Sequence, residues 1–133
     1  MKILVAGDRE WTDVDSIYEV LKDFPSGTVL IHGAARGADT IAALIGEQLG
    51  FDCRPYPYLS QYGRAGGVIR NTQMAKENMD IEQVIGFHNN IEESKGTKDM
   101  LRRVAPKYLP SARIRLITYM DYREPEQTDN VIK

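Results

Sequence analysis

Cysteine is nearly absent from this sequence: 133 residues include one, Cys53, and only two histidines. A single thiol excludes an intrachain disulfide and cannot build a structural zinc site, and no histidine and cysteine cluster has metal-ligand spacing. No metal and no required cofactor are therefore expected, and Cys53 reads as a packed strand residue. Long apolar runs are missing as well. Met1-Lys2-Ile3-Leu4-Val5-Ala6-Gly7 is too short for a signal peptide, and nothing approaches the roughly 20 apolar residues that span a bilayer. A cytoplasmic protein with no membrane partner is expected. Nor is either charge in large excess, since 17 basic residues meet 19 acidic ones for a net charge of -2. Duplex nucleic acid would find no broad basic field here, although a local basic cluster can still hold a small anion.

What is present is enough apolar material, 42% of residues, for one ordinary domain with a real core. Strand-length apolar runs alternate with segments of helical period, the order expected of parallel strands joined by crossover helices. The strands are expected at Ile3–Ala6, Thr28–His32, Phe51–Tyr56, Gln83–Phe87 and Ile114–Ile117. Between them, Thr12 or Asp13 can cap a helix presenting Val14, Ile17, Val20 and Leu21, and Gly37 to Leu49 forms the clearest helix. Val68 to Asn78 has helical period, with Arg70 and Asn71 expected to face away from the core after the Val68-Ile69 pair. Thr97 through Val104 should be a further helix, halted by Pro106. These elements predict an α/β fold of three layers: a five-stranded, mainly parallel, Rossmann-like sheet in the order 3-2-1-4-5 with helices on both faces. Residues 1–120 form the single domain, and 121–133 read as a polar, mobile tail.

Chemistry concentrates where strands end. In His32-Gly33-Ala34-Ala35-Arg36-Gly37-Ala38-Asp39, small residues lie between a strand and a helix, so backbone N–H groups can approach a phosphate directly. Arg36 adds a planar fork for phosphate oxygens. A tight turn whose glycines merely permit close packing is the alternative, with Asp39 there to suit the helix dipole. Ser94-Lys95-Gly96-Thr97-Lys98-Asp99 makes a second such turn after the fourth strand, and the loop Gly7-Asp8-Arg9-Glu10-Trp11 would share its crevice. Gly63-Arg64-Ala65-Gly66-Gly67-Val68-Ile69-Arg70-Asn71 offers Arg70 and Asn71, equally readable as surface residues. Trp11 can stack on a base or form a hydrophobic lid. Tyr56, Tyr58 and Tyr62 can line a pocket or a dimer contact.

Together, Val5-Ala6-Gly7-Asp8-Arg9-Glu10-Trp11, His32 to Asp39, Gly63 to Asn71 and Lys95-Gly96-Thr97 resemble the SLOG superfamily, most closely its small single-domain YspA-like branch. Lonely-guy phosphoribohydrolases, DprA and molybdenum-cofactor carriers are related to that branch. The resemblance covers roughly Lys2 to Ile117 and implies a Rossmann-like sheet that binds nucleotides or their derivatives, often as a homodimer. Carried over residue by residue, it places a phosphate-bearing ligand near Gly7, Arg9, Gly33, Ala34, Arg36, Gly37, Arg70, Asn71, Gly96 and Thr97, with Trp11 and Asp39 toward base or ribose. Three departures stand out. Asp8 replaces a serine and would repel phosphate unless it points away or pairs with Arg9. Ala34 replaces a glycine, a mild change if its φ is negative. His88-Asn89-Asn90 replaces Pro-Gly-Gly, and Asp99 stands where hydrolytic relatives carry glutamate.

Binding without chemistry, as a sensor, carrier or sequestering module, needs only the loops and arginines. An N-glycosidase or phosphoribohydrolase acting on a nucleoside monophosphate would need Asp99 as its catalytic carboxylate. Single-stranded DNA binding lacks a long basic groove.

Overall fold

The computed structural model describes residues 1–118 and 126–129. Five parallel strands, β1 (Lys2–Gly7), β2 (Val29–His32), β3 (Asp52–Pro55), β4 (Gln83–Phe87) and β5 (Arg113–Thr118), lie in the order 3-2-1-4-5. β1 is central because Ile3-Leu4-Val5 is apolar on both sides of the pleat, and all three residues are fully buried. Its register sets Val5 between His32 of β2 and Ile85 of β4.

Alternation along the strands splits the core into two layers. Ile3, Val5, Leu30, Ile85 and Phe87 pack under α1 (Val14–Leu21) and α2 (Ala38–Gln48), which supply Ile17, Leu21, Ala38 and Ala42. Leu4, Ile31, Val84 and Leu116 pack on the opposite face against α3 (Gly66–Glu77) and a helical run from Gly96 to Tyr108. The α1 start is fixed by Asp13, whose carboxylate accepts the Ser16 N–H at 2.8 Å. The crossover from β1 through α1 to β2 and that from β4 through the helical run to β5 step away from the adjacent β1–β4 pair in opposite directions. A crevice therefore opens beyond the carboxyl ends of β1 and β4. Among the described residues no helix is long and apolar enough to cross a membrane.

Three elements differ from the sequence expectation. Pro106 does not halt the last helix. The run begins as α4 (Gly96–Asp99), widens to a π turn over Met100–Val104 and resumes as α5 (Ala105–Tyr108) with the proline in its first turn. In an α-helix the proline ring would meet the carbonyl of Arg102, and the wider turn moves that carbonyl aside. In α3 the phase is rotated from the expected one: Asn71, Met74 and Ala75 are buried, while Val68 and Ile69 are exposed. Met74 and Ala75 set this phase by packing into the core layer with Leu4, Ile31 and Leu101, while Gly66 at the start of the helix lies against the carbonyl of Leu59 where a side chain would clash. Third, a sixth strand, β6 (Glu126–Asp129), pairs antiparallel with β5. The rest of the tail expected over 121–133 lies outside the described residues.

Candidate functional site

The crevice has a volume of about 480 Å³ and is walled by the loops that follow β1, β2 and β4 and by the start of α3. Gly7, Arg9, Gly33, Arg36, Asp39, Arg70, Asn71, Gly96 and Thr97 all border it. Residues up to 90 positions apart are thus gathered because consecutive parallel strands end on the same edge. Ala34, Gly37, Trp11 and Asp99 are not among its walls. Ala34 and Gly37 instead shape the β2–α2 turn from behind. Trp11 is buried edge-to-face against Phe87, with ring centroids 5.7 Å apart, and its indole N–H donates to the carbonyl of Asp13 at 2.9 Å. It closes the core beneath the first loop.

The β2–α2 loop is organised around a carboxylate of the chain itself. Asp39 Oδ2 accepts the N–H of Gly33 at 3.0 Å and that of Ala35 at 3.4 Å, while the Ala34 N–H donates to His32 Nδ1 at 3.0 Å. The Ala38 N–H is taken by the carbonyl of Asp8 at 3.1 Å. The N–H groups of Gly33, Ala34, Ala35 and Ala38 are therefore engaged within the protein. Burial pushes the His32 imidazole below its ordinary range and the Arg70 charge adds to this, so His32 serves as a neutral acceptor. Ala34 has a φ of +57°, so the condition for a mild replacement of glycine is not met. An L-residue there is strained by about 1 kcal/mol or somewhat more. Ala34→Gly is expected to raise stability by about 0.5–1 kcal/mol, read as a higher urea midpoint. A lower midpoint would contradict the strain.

Asp39 is 4% exposed, and its second oxygen, Oδ1, is buried without a hydrogen-bond partner among the described residues. Burial raises its carboxyl from 3.8 to about 6, against the pull of the Ala35 and Gly33 N–H groups and the Arg70 charge. A carboxyl raised on folding stabilises the native state in its protonated form. Its contribution is whole below about pH 4 and is lost as pH rises through about 6, a change of about 3 kcal/mol. Asp39→Asn keeps an oxygen for the two loop N–H groups and cannot ionise. The melting temperature of the variant relative to the wild type is expected to climb by about 10 °C between pH 4 and pH 7.5. A difference that stays constant with pH would contradict the buried charge.

Arg70 and Asn71 tie the walls together. Arg70 Nη1 donates to the carbonyl of Gly33 at 2.6 Å and to that of Tyr56 at 3.0 Å. Asn71 Nδ2 donates to the carbonyl of Gly96 at 3.2 Å and to Asp99 Oδ2 at 3.0 Å. Asp99 is paired on its other side with Arg103, one turn along the helical run. Its carboxylate fastens α4 to α3 and stands outside the crevice.

At the α4 entrance, Ser94 Oγ accepts the N–H groups of Thr97 at 3.0 Å and Lys98 at 3.3 Å. A Cβ placed on Gly96 would meet nothing within 4 Å, so packing does not demand glycine there. It leaves the backbone bare on the crevice side. The sequence places Asp8, Glu10 and Ser94 in the loops of this crevice without giving them a part in it, and it gives no sign of Met74 or of His88 as crevice residues. A register argument brings Asp8 and His88 together, since Gly7 pairs with Phe87 and the next residue on each strand must enter the same space.

A family model described as "YspA, cpYpsA-related SLOG family" matches residues 1–58, the stretch that holds the first two crevice loops. The Gene 61 protein of Mycobacterium phage D29 is 31% identical over 119 residues, covering 82% of this chain and 92% of that protein. No solved structure matches.

Proposed function

Since this chain belongs to the YspA, cpYpsA-related SLOG family, we propose that it binds a phosphate-bearing nucleotide or nucleotide derivative in the crevice and acts as a sensor, carrier or sequestering module. One observation carries this reading. Arg9, Arg36, Arg70 and Lys95 converge with the bare backbone of Gly96 and the hydroxyl-bearing Thr97 on a space of about 480 Å³, within the range of small-molecule sites. Because Asp39 and His32 already take the N–H groups of Gly33, Ala34 and Ala35, the phosphate sits between Gly96, Lys95, Arg9 and Arg36. Cleavage of a nucleotide has less support. Asp99, the carboxylate it would use, is spent on Arg103 and Asn71.

Arg36 is exposed and its ion pair to Glu10 is equally exposed, so removing it leaves the fold intact. Arg36→Ala is expected to weaken binding of nucleoside mono-, di- or triphosphates about tenfold or more, as loss of a charge-assisted contact of about 1.5–3 kcal/mol requires. Calorimetric titration measures this, and unchanged affinity would remove Arg36 from the site. Tyr58, Tyr62, Val68 and Ile69 form an exposed surface on the outer side of α3 and the loop before it. That surface supports a homodimer, which light scattering would contradict by finding only the 15.0 kDa monomer at micromolar concentration.

A further inference from the structure

We propose that Asp8 and His88 form a hydroxyl-recognition subsite in the crevice, which holds one sugar hydroxyl of the ligand between a carboxylate oxygen and an imidazole N–H. The inference rests on the nucleotide-binding reading and adds to it which part of the ligand this corner reads. Both residues stand where the chain departs from the pattern it resembles, and the fold makes them neighbours. Gly7 and Phe87 are partners in the β1–β4 register, and Asp8 and His88 are the residues that follow them.

Each side chain is fixed from outside the pair. Asp8 Oδ1 accepts the N–H of Glu10 at 2.9 Å, an Asx turn that locks the carboxylate to its own loop. His88 Nδ1 accepts the N–H of Asn90 at 2.9 Å, so the proton of the neutral ring resides on Nε2. What remains is Asp8 Oδ2, an acceptor, facing His88 Nε2, a donor, at 4.0 Å. That gap is too long for a hydrogen bond between them, yet one oxygen atom can lie about 2.8 Å from both. The oxygen must accept from the ring and donate to the carboxylate. A hydroxyl does both, whereas a phosphate oxygen only accepts and would be repelled by Asp8. Both residues border the crevice and keep partial exposure, so the corner is open to a ligand. Phosphate at the Gly96 end and hydroxyl at the Asp8 end divide the crevice between an anion and a neutral group, as a nucleotide presents them.

The test compares the four ribonucleoside 5′-monophosphates with their 2′,3′-dideoxy counterparts by calorimetry. The wild type is expected to bind at least one hydroxylated form about tenfold or more tightly than its dideoxy partner. In Asp8→Asn, whose amide oxygen still accepts the Glu10 N–H, and in His88→Ala, that ratio should fall to within about twofold. Equal affinity for hydroxylated and dideoxy forms would overturn the subsite. If Arg36→Ala still weakened both, the phosphate reading would stand without it. A ratio that persists in both variants would place hydroxyl recognition elsewhere and overturn the proposal. Absence of binding by all eight compounds would overturn both readings together.

Discussion

Replacing Gly37 with valine is expected to lower stability by at least about 4 kcal/mol, enough to unfold much of the protein at ambient temperature. Two effects coincide at this position. The backbone has a φ of +77°, which a β-branched residue rarely adopts. A Cβ there would also overlap the carbonyl oxygens of Asp8 and Arg9, which are backbone atoms of the first loop and cannot rotate away. The contact is tight because Asp8 uses the same carbonyl to accept the Ala38 N–H at 3.1 Å, which docks α2 onto the end of β1. Thermal melts of Gly37→Val and Arg36→Ala, adjacent residues, separate packing from ligand contact. The arginine variant should melt with the wild type, and a valine variant that did so too would refute the close approach of the two loops.

Arg70→Met is expected to cost about 3 kcal/mol, although it replaces a charged side chain on a helix by an apolar one. The loss leaves two carbonyls, those of Gly33 and Tyr56, without their donor at 2.6 and 3.0 Å. It also leaves Asp39 buried beside less positive charge, for Arg70 is among the groups that hold that carboxyl down. The two residues should therefore be coupled. In urea denaturation at pH 7.5 the double variant Arg70→Met with Asp39→Asn is expected to be about 1 kcal/mol more stable than the sum of the single changes allows. Strict additivity would mean that the arginine serves only the two carbonyls.

Much of this was readable from the chain. The bounds expected for the fourth strand, Gln83–Phe87, match, as does the order of the five parallel strands. Unbroken apolar runs and intervening helical periods leave few arrangements once crossovers are right-handed. Convergence of the loops that hold Arg9, Arg36 and Gly96 follows from that order. What sequence reasoning missed depends on atoms brought together only by folding. The phase of α3 is misread because Val68 and Ile69 carry the stronger hydrophobic signal, while the helix packs on the sheet through Met74 and Ala75. Pro106 reads as a stop in the sequence because a π turn has no sequence signature. Asp39 reads in the sequence as a dipole residue or a base or ribose contact, whereas its Oδ2 holds the loop N–H groups of Gly33 and Ala35. An anion supplied in cis reads in sequence like any aspartate in a first helical turn.

The nucleotide crevice is tested most directly by amide chemical shifts of uniformly ¹⁵N-labelled protein titrated with nucleoside 5′-monophosphates, with inorganic phosphate as the reference anion. Shifts are expected at Asp8, Arg9, Arg36, Lys95, Gly96 and Thr97, whose loops line the crevice. The outer surface of α1 and α2 around Tyr18 and Leu44, exposed and away from the crevice walls, should stay unperturbed. Shifts that gather on that outer surface, or no shifts at millimolar nucleotide, would contradict a nucleotide site between the ends of β1 and β4.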